Sequence, residues 1–252
     1  MAGHAEKSYQ RRKKKGLRRD IPQIVPKGPL ELDPFQAEAV EALLAGFDVL
    51  VAAPTGTGKT LIAERLLEWV IASGKGAVYT SPIKALSNQK YRDFVAQYGK
   101  ERVGLITGDL SIHEGAPLLV MTTEIFRNWC FANPEMLQDT THVIFDEVHY
   151  LDDAERGTAW EESIIFAPEH MRILGLSATV PNIQEIANWI GHIRNRDVKV
   201  IIEKRRAVPL ELAWIAENGE LLSLAQAKEY IKEKSEKRKN RPALKTGEGK
   251  KQ

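Results

Sequence analysis

Two stretches of the chain combine residue types and spacings with chemical meaning. "PTGTGKT", Pro54 to Thr60, follows directly on the apolar run "DVLVAA". With Ala53 it reads A-x-x-x-x-G-K-T, which departs from the phosphate-loop template only in having Ala where the first Gly stands. Pro54, Thr55, Gly56, Thr57 and Gly58 form the expected turn. Its glycines let backbone N–H groups point inward around an anion, and the helix that follows adds its positive N-terminal end. Lys59 would then neutralise β/γ-phosphate oxygens, and the Thr60 hydroxyl would ligate Mg2+. The second stretch is "THVIFDEVHYLDD", where an apolar run of strand length ends in adjacent carboxylates, Asp146 and Glu147, with His149 two residues on. Half-buried carboxylates are costly without a compensating cation. Given a phosphate loop upstream, Asp146 is expected to hold Mg2+, mostly through water, and Glu147 to orient or deprotonate the water that attacks the γ-phosphate. The compensating charge is then Mg2+ together with Lys59. Without that loop, "DEVH" would read as an exposed strand end. A lone His149 can equally pack or satisfy a local carbonyl, and its spacing from Glu147 does not suit a helical metal pair.

These residues need a scaffold that brings distant segments together. "LDPFQAEAVEALLAG" predicts a helix with Asp33 as N-cap, Pro34 at its first position, an apolar face of Phe35, Val40, Leu43 and Leu44, and Gly46 as its stop. Thereafter β-branched apolar runs alternate with amphipathic stretches: "DVLVAA" then "LIAERLLEWVIASG", "AVYTS" then "IKALSNQKYRDFVAQYG", "VGLIT", "LLVMT" then "EIFRNWCF", "HVIFD", "ILGLSAT" then "IQEIANWIG", and "VKVII". Continuously apolar strands imply a sheet covered on both faces, hence an α/β fold with a mostly parallel, doubly wound sheet. Binding sites in such sheets lie at the carboxyl ends of the strands. Beyond Pro209, "LELAWIAENGE" reads as a further strand, and "LLSLAQAKEYIKEKSEKRKN" as a helix with a narrow seam of Leu221, Leu224 and Ile231.

The chain has 252 residues, and its net charge of +2 conceals a segregation. Residues 1–20 carry eight Lys/Arg against two acids and residues 228–252 carry ten against four, which leaves residues 21–227 at −10. Basic ends add salt-sensitive affinity for nucleic-acid phosphates or simply keep the protein soluble; composition alone does not choose. The segment 1–20 has almost nothing to bury and is expected to be a disordered tail, with ordered structure from near Leu30. A single cysteine, Cys130, closes no internal disulfide, no secretory signal pattern opens the chain, and no apolar run is long enough to span a bilayer. A cytoplasmic protein with no membrane role is expected.

The phosphate loop, "DEVH" and "SAT" (Ser177 to Thr179) together resemble the superfamily-two helicases of the DExH-box type. "TSPIKALSNQKYRDF", "TGDLSI", "LLVMTTEIFRN", "FDEVHYLDD.ERG..WEE" and "GLSATVPN" make the likeness closer, to the superkiller and exosome-associated RNA helicases, from about Leu32 to Glu211. The resemblance implies the first of two RecA-like phosphate-loop NTPase domains of an enzyme that couples ATP hydrolysis to 3′-to-5′ movement along single-stranded RNA, with RNA-decay proteins as partners. It places that domain at residues 21–215, followed by a charged helix and linker at 216–252. Phe35 and Gln36 match the adenine-reading element, although Asp33 to Gln36 is also a capping-box pattern in which Gln36 reaches back to the Asp33 N–H. Leu30 stands near where the family often has an aromatic that stacks on the base. Pro82, Lys84, Asn88, Gly108, Asp109, Thr122, Thr123, Glu124 and Arg127 match elements that touch the nucleic-acid backbone. Ser81 and Thr123 could instead cap their own helices. His149, Ser177 and Thr179 match positions that link the nucleotide site to strand movement. Arg156, Gly157, Trp160, Glu161 and Glu162 match a family run for which a solvated helix face anchored by Trp160 is expected.

The resemblance also implies a second RecA-like domain, in cis or in trans, whose arginines complete the ATP site. The residues after Arg206 are largely charged and hold no "Q-R-x-G-R-A-G-R"-like run, so that domain is not expected within them. Two rival functions share these motifs. A DNA translocase would use the same backbone contacts, and a non-catalytic nucleotide-dependent adaptor would keep the binding residues alone.

Overall fold

The computed structural model describes residues 31–148, 157–206, 208 and 212–239, the side chains of 236–239 excepted. The expected basic tail, Leu30, His149 and Arg156 lie outside the described residues.

Helix α1 (Pro34–Leu44) starts with proline at its first position, where no N–H is needed. It leads into β1 (Asp48–Ala52), α2 (Lys59–Ala72), β2 (Gly76–Ser81), α3 (Lys84–Tyr98), β3 (Val103–Thr107), β4 (Leu110–Ile112), β5 (Leu118–Thr122) and α4 (Thr123–Ala132). Then come β6 (Thr140–Asp146), α5 (Gly157–Phe166), β7 (Arg172–Ser177), α6 (Ile183–Arg194) and β8 (Val198–Ile202). The sheet runs β4-β3-β5-β2-β6-β7-β1-β8, and every neighbouring pair is parallel except β3 and β4. Each predicted strand from β1 to β8 is present. Strand β4, inside "TGDLSI", has no apolar run to announce it. It forms because the chain turns back at Gly108 and Asp109, between the paired Thr107 and Leu110, and the returning segment passes close over Gly104, where a Cβ would stand 2.3 Å from the His113 carbonyl oxygen.

Strand residues alternate between two cores. Val49 and Val51 face Phe35, Leu66 and Phe94 of α1, α2 and α3. Leu50 and Ala52 face Phe126, Trp160 and Ile190 of α4, α5 and α6. Helices therefore cover both faces, which is why the strands read as continuous apolar runs. Each fully buried large side chain contributes roughly 1.5–3 kcal/mol.

Helix α5 has the expected solvated face, with Thr158 and Glu161 exposed, and is anchored by the buried Trp160, whose ring packs on Phe145 at 5.0 Å; Ala159, Ser163 and Ile164 are buried beside it. One expectation is corrected. Leu221 lies on β10 (Leu221–Ser223), which pairs antiparallel with β9 (Ala213–Ile215), rather than on the helix seam. Helix α7 (Leu224–Lys239) uses Ala227 and Tyr230 against Ala216 and Leu222, while Leu224 and Ile231 are half exposed. The hairpin captures Leu221 because Gly219, in the left-handed region, turns the chain just before it.

His142, buried on β6, meets the Trp69 ring edge-on at 6.0 Å. The Thr141 hydroxyl donates its one proton to the Gly76 carbonyl, so His142 Nδ1–H donates to Thr141 Oγ1, 2.9 Å away, and Nε2 is left without a proton or a described partner. Burial, with help from nearby Arg172, lowers its pKa to about 4. The folded state thus binds fewer protons than the unfolded chain between about pH 4 and 6.5. Stability from this group is complete above about pH 6.5 and is lost as the pH falls toward 4, on the order of 3 kcal/mol in total. Urea unfolding across this range should show a slope that His142→Gln flattens; equal slopes would contradict the assignment.

Candidate active site

Parallel pairing sets the carboxyl ends of β1, β2, β3, β5, β6 and β7 along one edge, and every predicted site residue in the described chain lies at or just beyond that edge or on α1. Register fixes the neighbours: Ala52 stands opposite Ser177, Asp146 opposite Leu176, and Ser81 opposite Thr122.

The loop between β1 and α2 closes on its own backbone. Gly56 and Gly58 adopt left-handed φ of 87° and 78°, while Ala53 is not among the left-handed residues, so the alanine that replaces the template glycine meets no backbone penalty. The Ala53 N–H donates to the Ser177 carbonyl at 3.1 Å, and the Thr57 hydroxyl to the Pro54 carbonyl at 2.7 Å. Thr55 is exposed on the rim. Lys59 Nζ donates to the carbonyls of Ala53 (2.7 Å) and Pro54 (3.3 Å). Burial lowers its pKa, and the negative charges of Glu147 and Asp146 act in the opposite sense, so the loop lysine and both strand-end carboxylates share one electrostatic neighbourhood. Thr60, half buried in the first turn of α2, has its Oγ1 3.4 Å from Lys90 Nζ.

Asp146 Oδ2 accepts a 2.6 Å hydrogen bond from the Tyr79 hydroxyl. Tyr79 is fully buried on β2, and burial first, then the Asp146 charge, pushes its pKa well above the ordinary tyrosine value, so it acts as a donor. Glu147 has φ of 60°, a left-handed conformation that non-glycine residues seldom adopt and that clusters at functional sites. Ser177 is buried with its Oγ lacking a partner among the described residues, and Thr179 is exposed beyond it.

Gln36 has two jobs. Its Oε1 accepts from the Asp33 N–H at 2.9 Å, which completes that arm of the capping box, and its Nε2 donates to the Thr57 and Gly58 carbonyls, both at 3.1 Å. The helix cap is therefore also a brace on the phosphate loop. Phe35 packs in the core and lines a cavity of about 220 Å3 shared with Asp33, Pro34, Thr57, Glu203, Arg205 and Arg206.

The nucleic-acid candidates occupy the other half of the edge. Lys84 pairs with Asp109, next to Gly108, and Asn88 is exposed one turn along α3 from Lys84, with Pro82 buried before it. Thr122 and Thr123 are buried at the start of α4, and Thr123 Oγ1 has no partner among the described residues. Glu124 is half buried in the first turn. Arg127 reaches Glu162 of α5 at 3.3 Å, and the Ser163 hydroxyl lies 3.3 Å from the Thr123 carbonyl, so α5 steadies this helix. The sheet order thus separates β3-β5-β2, which lead to these residues, from β6-β7-β1, which lead to the phosphate loop, the carboxylates and Ser177.

Residues 33–186 match the DEAD/DEAH box helicase family. The chain belongs to that family. It is 44% identical over 219 residues to the antiviral helicase SKI2 of Saccharomyces cerevisiae, covering 87% of this chain and 17% of that protein. It is 48% identical over 191 residues to superkiller complex protein 2 of Mus musculus, covering 76% and 15% respectively. It is 44% identical over 230 residues to the DExH-box ATP-dependent RNA helicase DExH11 of Arabidopsis thaliana, covering 89% and 17%. The chain spans under a fifth of the length of these relatives. The crystal structure of the DUF1998 helicase MrfA bound to DNA superposes with a TM-score of 0.60 at 16% identity, over 71% of this chain and 28% of that one, a likeness of fold.

In this helicase domain Tyr79, Lys90, Glu203, Arg205 and Arg206 also lie at the site, outside the motifs that mark its other residues. A tyrosine inside a wholly buried strand must find a partner for its hydroxyl, so "AVYTS" held a signal. The "EKRR" residues are near the loop only because β8 runs parallel to β1, with Ile202 opposite Ala52, a pairing no local pattern reveals.

A Cβ at Gly58 would stand 2.8 Å from Gln36 Nε2, whereas one at Gly56 meets nothing within 4 Å. Gly56→Ala should cost about 1–2 kcal/mol for its left-handed backbone alone, and Gly58→Ala more. In a Gln36→Ala background the two costs should converge, as read by urea unfolding; a gap that persists would mean Gln36 does not brace the loop.

Proposed function

We propose that this chain is the ATP-binding motor domain of an RNA helicase, which binds Mg2+ and ATP between the phosphate loop and the β6 carboxylates and takes single-stranded RNA along the β3-β5-β2 half of the edge. The observation that carries this reading is the shared neighbourhood of Lys59, Asp146 and Glu147 beside a loop of left-handed glycines. RNA rather than DNA is favoured by the relatives, one of which is named as an RNA helicase at 44% identity.

The donor set fits a magnesium ion that arrives with the nucleotide. Among the described residues no group of three or more Cys, His, Asp or Glu gathers, so Thr60 and Asp146 need phosphate oxygens and water to complete six ligands. When bound, Mg2+ would offset phosphate charge and fix the β- and γ-oxygens. In this reading Lys59 exchanges the Ala53 and Pro54 carbonyls for phosphate oxygens. Glu147 accepts a proton from, or orients, the attacking water. Phe35 and the Arg205 and Arg206 guanidiniums flank the cavity that takes the base, with Gln36 holding the loop below it. Ser177, whose carbonyl accepts from the Ala53 N–H, and Thr179 beyond it pass changes at the loop to the edge, and His149 is proposed to join them. Pro82, Lys84, Asn88, Gly108, Asp109, Thr122, Thr123, Glu124 and Arg127 meet backbone phosphates and sugars, contacts that fix position without reading sequence.

A second RecA-like domain is proposed to supply the arginines that stabilise the transition state, and RNA-decay proteins to be partners of the whole assembly. A reducing compartment such as the cytoplasm suits Cys130, an inert thiol whose pKa burial raises to about 12. Among the described residues no helix is long and apolar enough to cross a membrane.

Glu147→Gln should abolish turnover while the affinity for a fluorescent, non-hydrolysable ATP analogue stays within about twofold, because the substitution removes the base and keeps the shape. The unsubstituted chain should turn over slowly, and adding the second domain in trans should raise the rate by a factor of about 10³–10⁵. Full turnover by Glu147→Gln, or no analogue binding by the parent chain, would contradict the proposal.

A further inference from the structure

The two ligands the chain offers to Mg2+ are both approached by side chains of one strand–helix unit. Tyr79 of β2 donates to Asp146 Oδ2 at 2.6 Å. Lys90 of α3 has its ammonium 5.8 Å from the centre of the Tyr79 ring and 3.4 Å from Thr60 Oγ1. The Tyr79 ring is held edge-on by Phe94 at 5.1 Å and is sealed from solvent, so its hydroxyl has no freedom to swing away. Asp146, by contrast, is half exposed and sits at the last position of β6, where the main chain turns into the left-handed Glu147. A carboxylate at such a place rotates freely unless something fixes its plane.

From these contacts we infer that Tyr79 is a positioning residue for the metal site: it occupies one oxygen of Asp146 so that the other, Oδ1, is presented to Mg2+ in a set orientation. This rests on the proposed function and adds a residue to it. The partner of a metal ligand commonly decides affinity, and losing one typically costs 10- to 100-fold. The same contact ties Asp146 to β2, which runs directly into Pro82 and Lys84 on the nucleic-acid half of the edge. Tyr79 therefore crosses the β2–β6 boundary between the two halves.

The test is a Mg2+ titration of fluorescent ATP-analogue binding, with the parent chain, Tyr79→Phe, Asp146→Ala and the double variant. Tyr79→Phe keeps the ring in the core and removes only the donor. It should raise the Mg2+ concentration for half-maximal binding about tenfold or more, with analogue affinity in EDTA unchanged. In the Asp146→Ala background the same substitution should have no effect on Mg2+ dependence, because the group it positions is gone. A merely structural role would instead lower affinity equally in both backgrounds and in EDTA, and that result overturns the inference. So does an unchanged Mg2+ dependence in Tyr79→Phe. If the parent chain binds the analogue equally well with Mg2+ and with EDTA, the metal assignment of the proposed function itself fails, an outcome distinct from the other two.

Discussion

Everything at this edge depends on compensating negative charge that the fold has placed together. Asp146 and Glu147 are delivered by one strand, Lys59 by the loop that ends another, and β7 lies between those strands, its last carbonyl hydrogen-bonded to the start of the loop. Two of the three Lys59 ammonium protons rest on its own loop carbonyls, which hold the charge in place until an incoming phosphate takes over from them. A half-buried lysine beside two half-buried carboxylates makes an arrangement that is costly by itself and favourable around a triphosphate with its cation.

The parallel sheet turns this local chemistry into a two-part edge. Because all strands but β4 run the same way, their ends form one line, and because β2 and β6 are neighbours the nucleotide candidates and the nucleic-acid candidates meet at a single boundary. Across it run the Tyr79–Asp146 hydrogen bond and the Lys90–Thr60 contact. These short connections join the two halves of the edge at their boundary. Gln36 plays a comparable part at the far side of the loop, where one amide group joins the start of α1 to Thr57 and Gly58.

Much of this was legible before the fold was known, for identifiable reasons. The core strands are covered on both faces, so their apolar runs are unbroken, and "PTGTGKT" and "DEVH" are local patterns whose chemistry is carried by adjacent residues. Features that depend on non-local pairing were hidden. Strand β4 is short and exposed, and is defined by its return along β3. Arg205 and Arg206 approach Phe35 only through the β1–β8 pairing. Leu221 looked like part of a helical seam because its spacing to Leu224 fits one, but the turn at Gly219 makes it a strand residue. The Gln36 alternatives left open by the sequence, cap or ligand contact, are joined by a third role, since the side chain caps α1 and braces the loop at once.

The central claim is that a triphosphate and its magnesium ion sit between the turn ending at Thr60 and the carboxylates at the end of β6. The most direct measurement is a crystal structure of the chain with Mg2+ and a non-hydrolysable ATP analogue. The expected result is phosphate oxygens against the Gly56 to Thr60 turn, Lys59 Nζ moved from the Ala53 carbonyl onto them, and an ion between Thr60 Oγ1 and Asp146 Oδ1. An analogue bound elsewhere, with Lys59 still on its own loop, would contradict it.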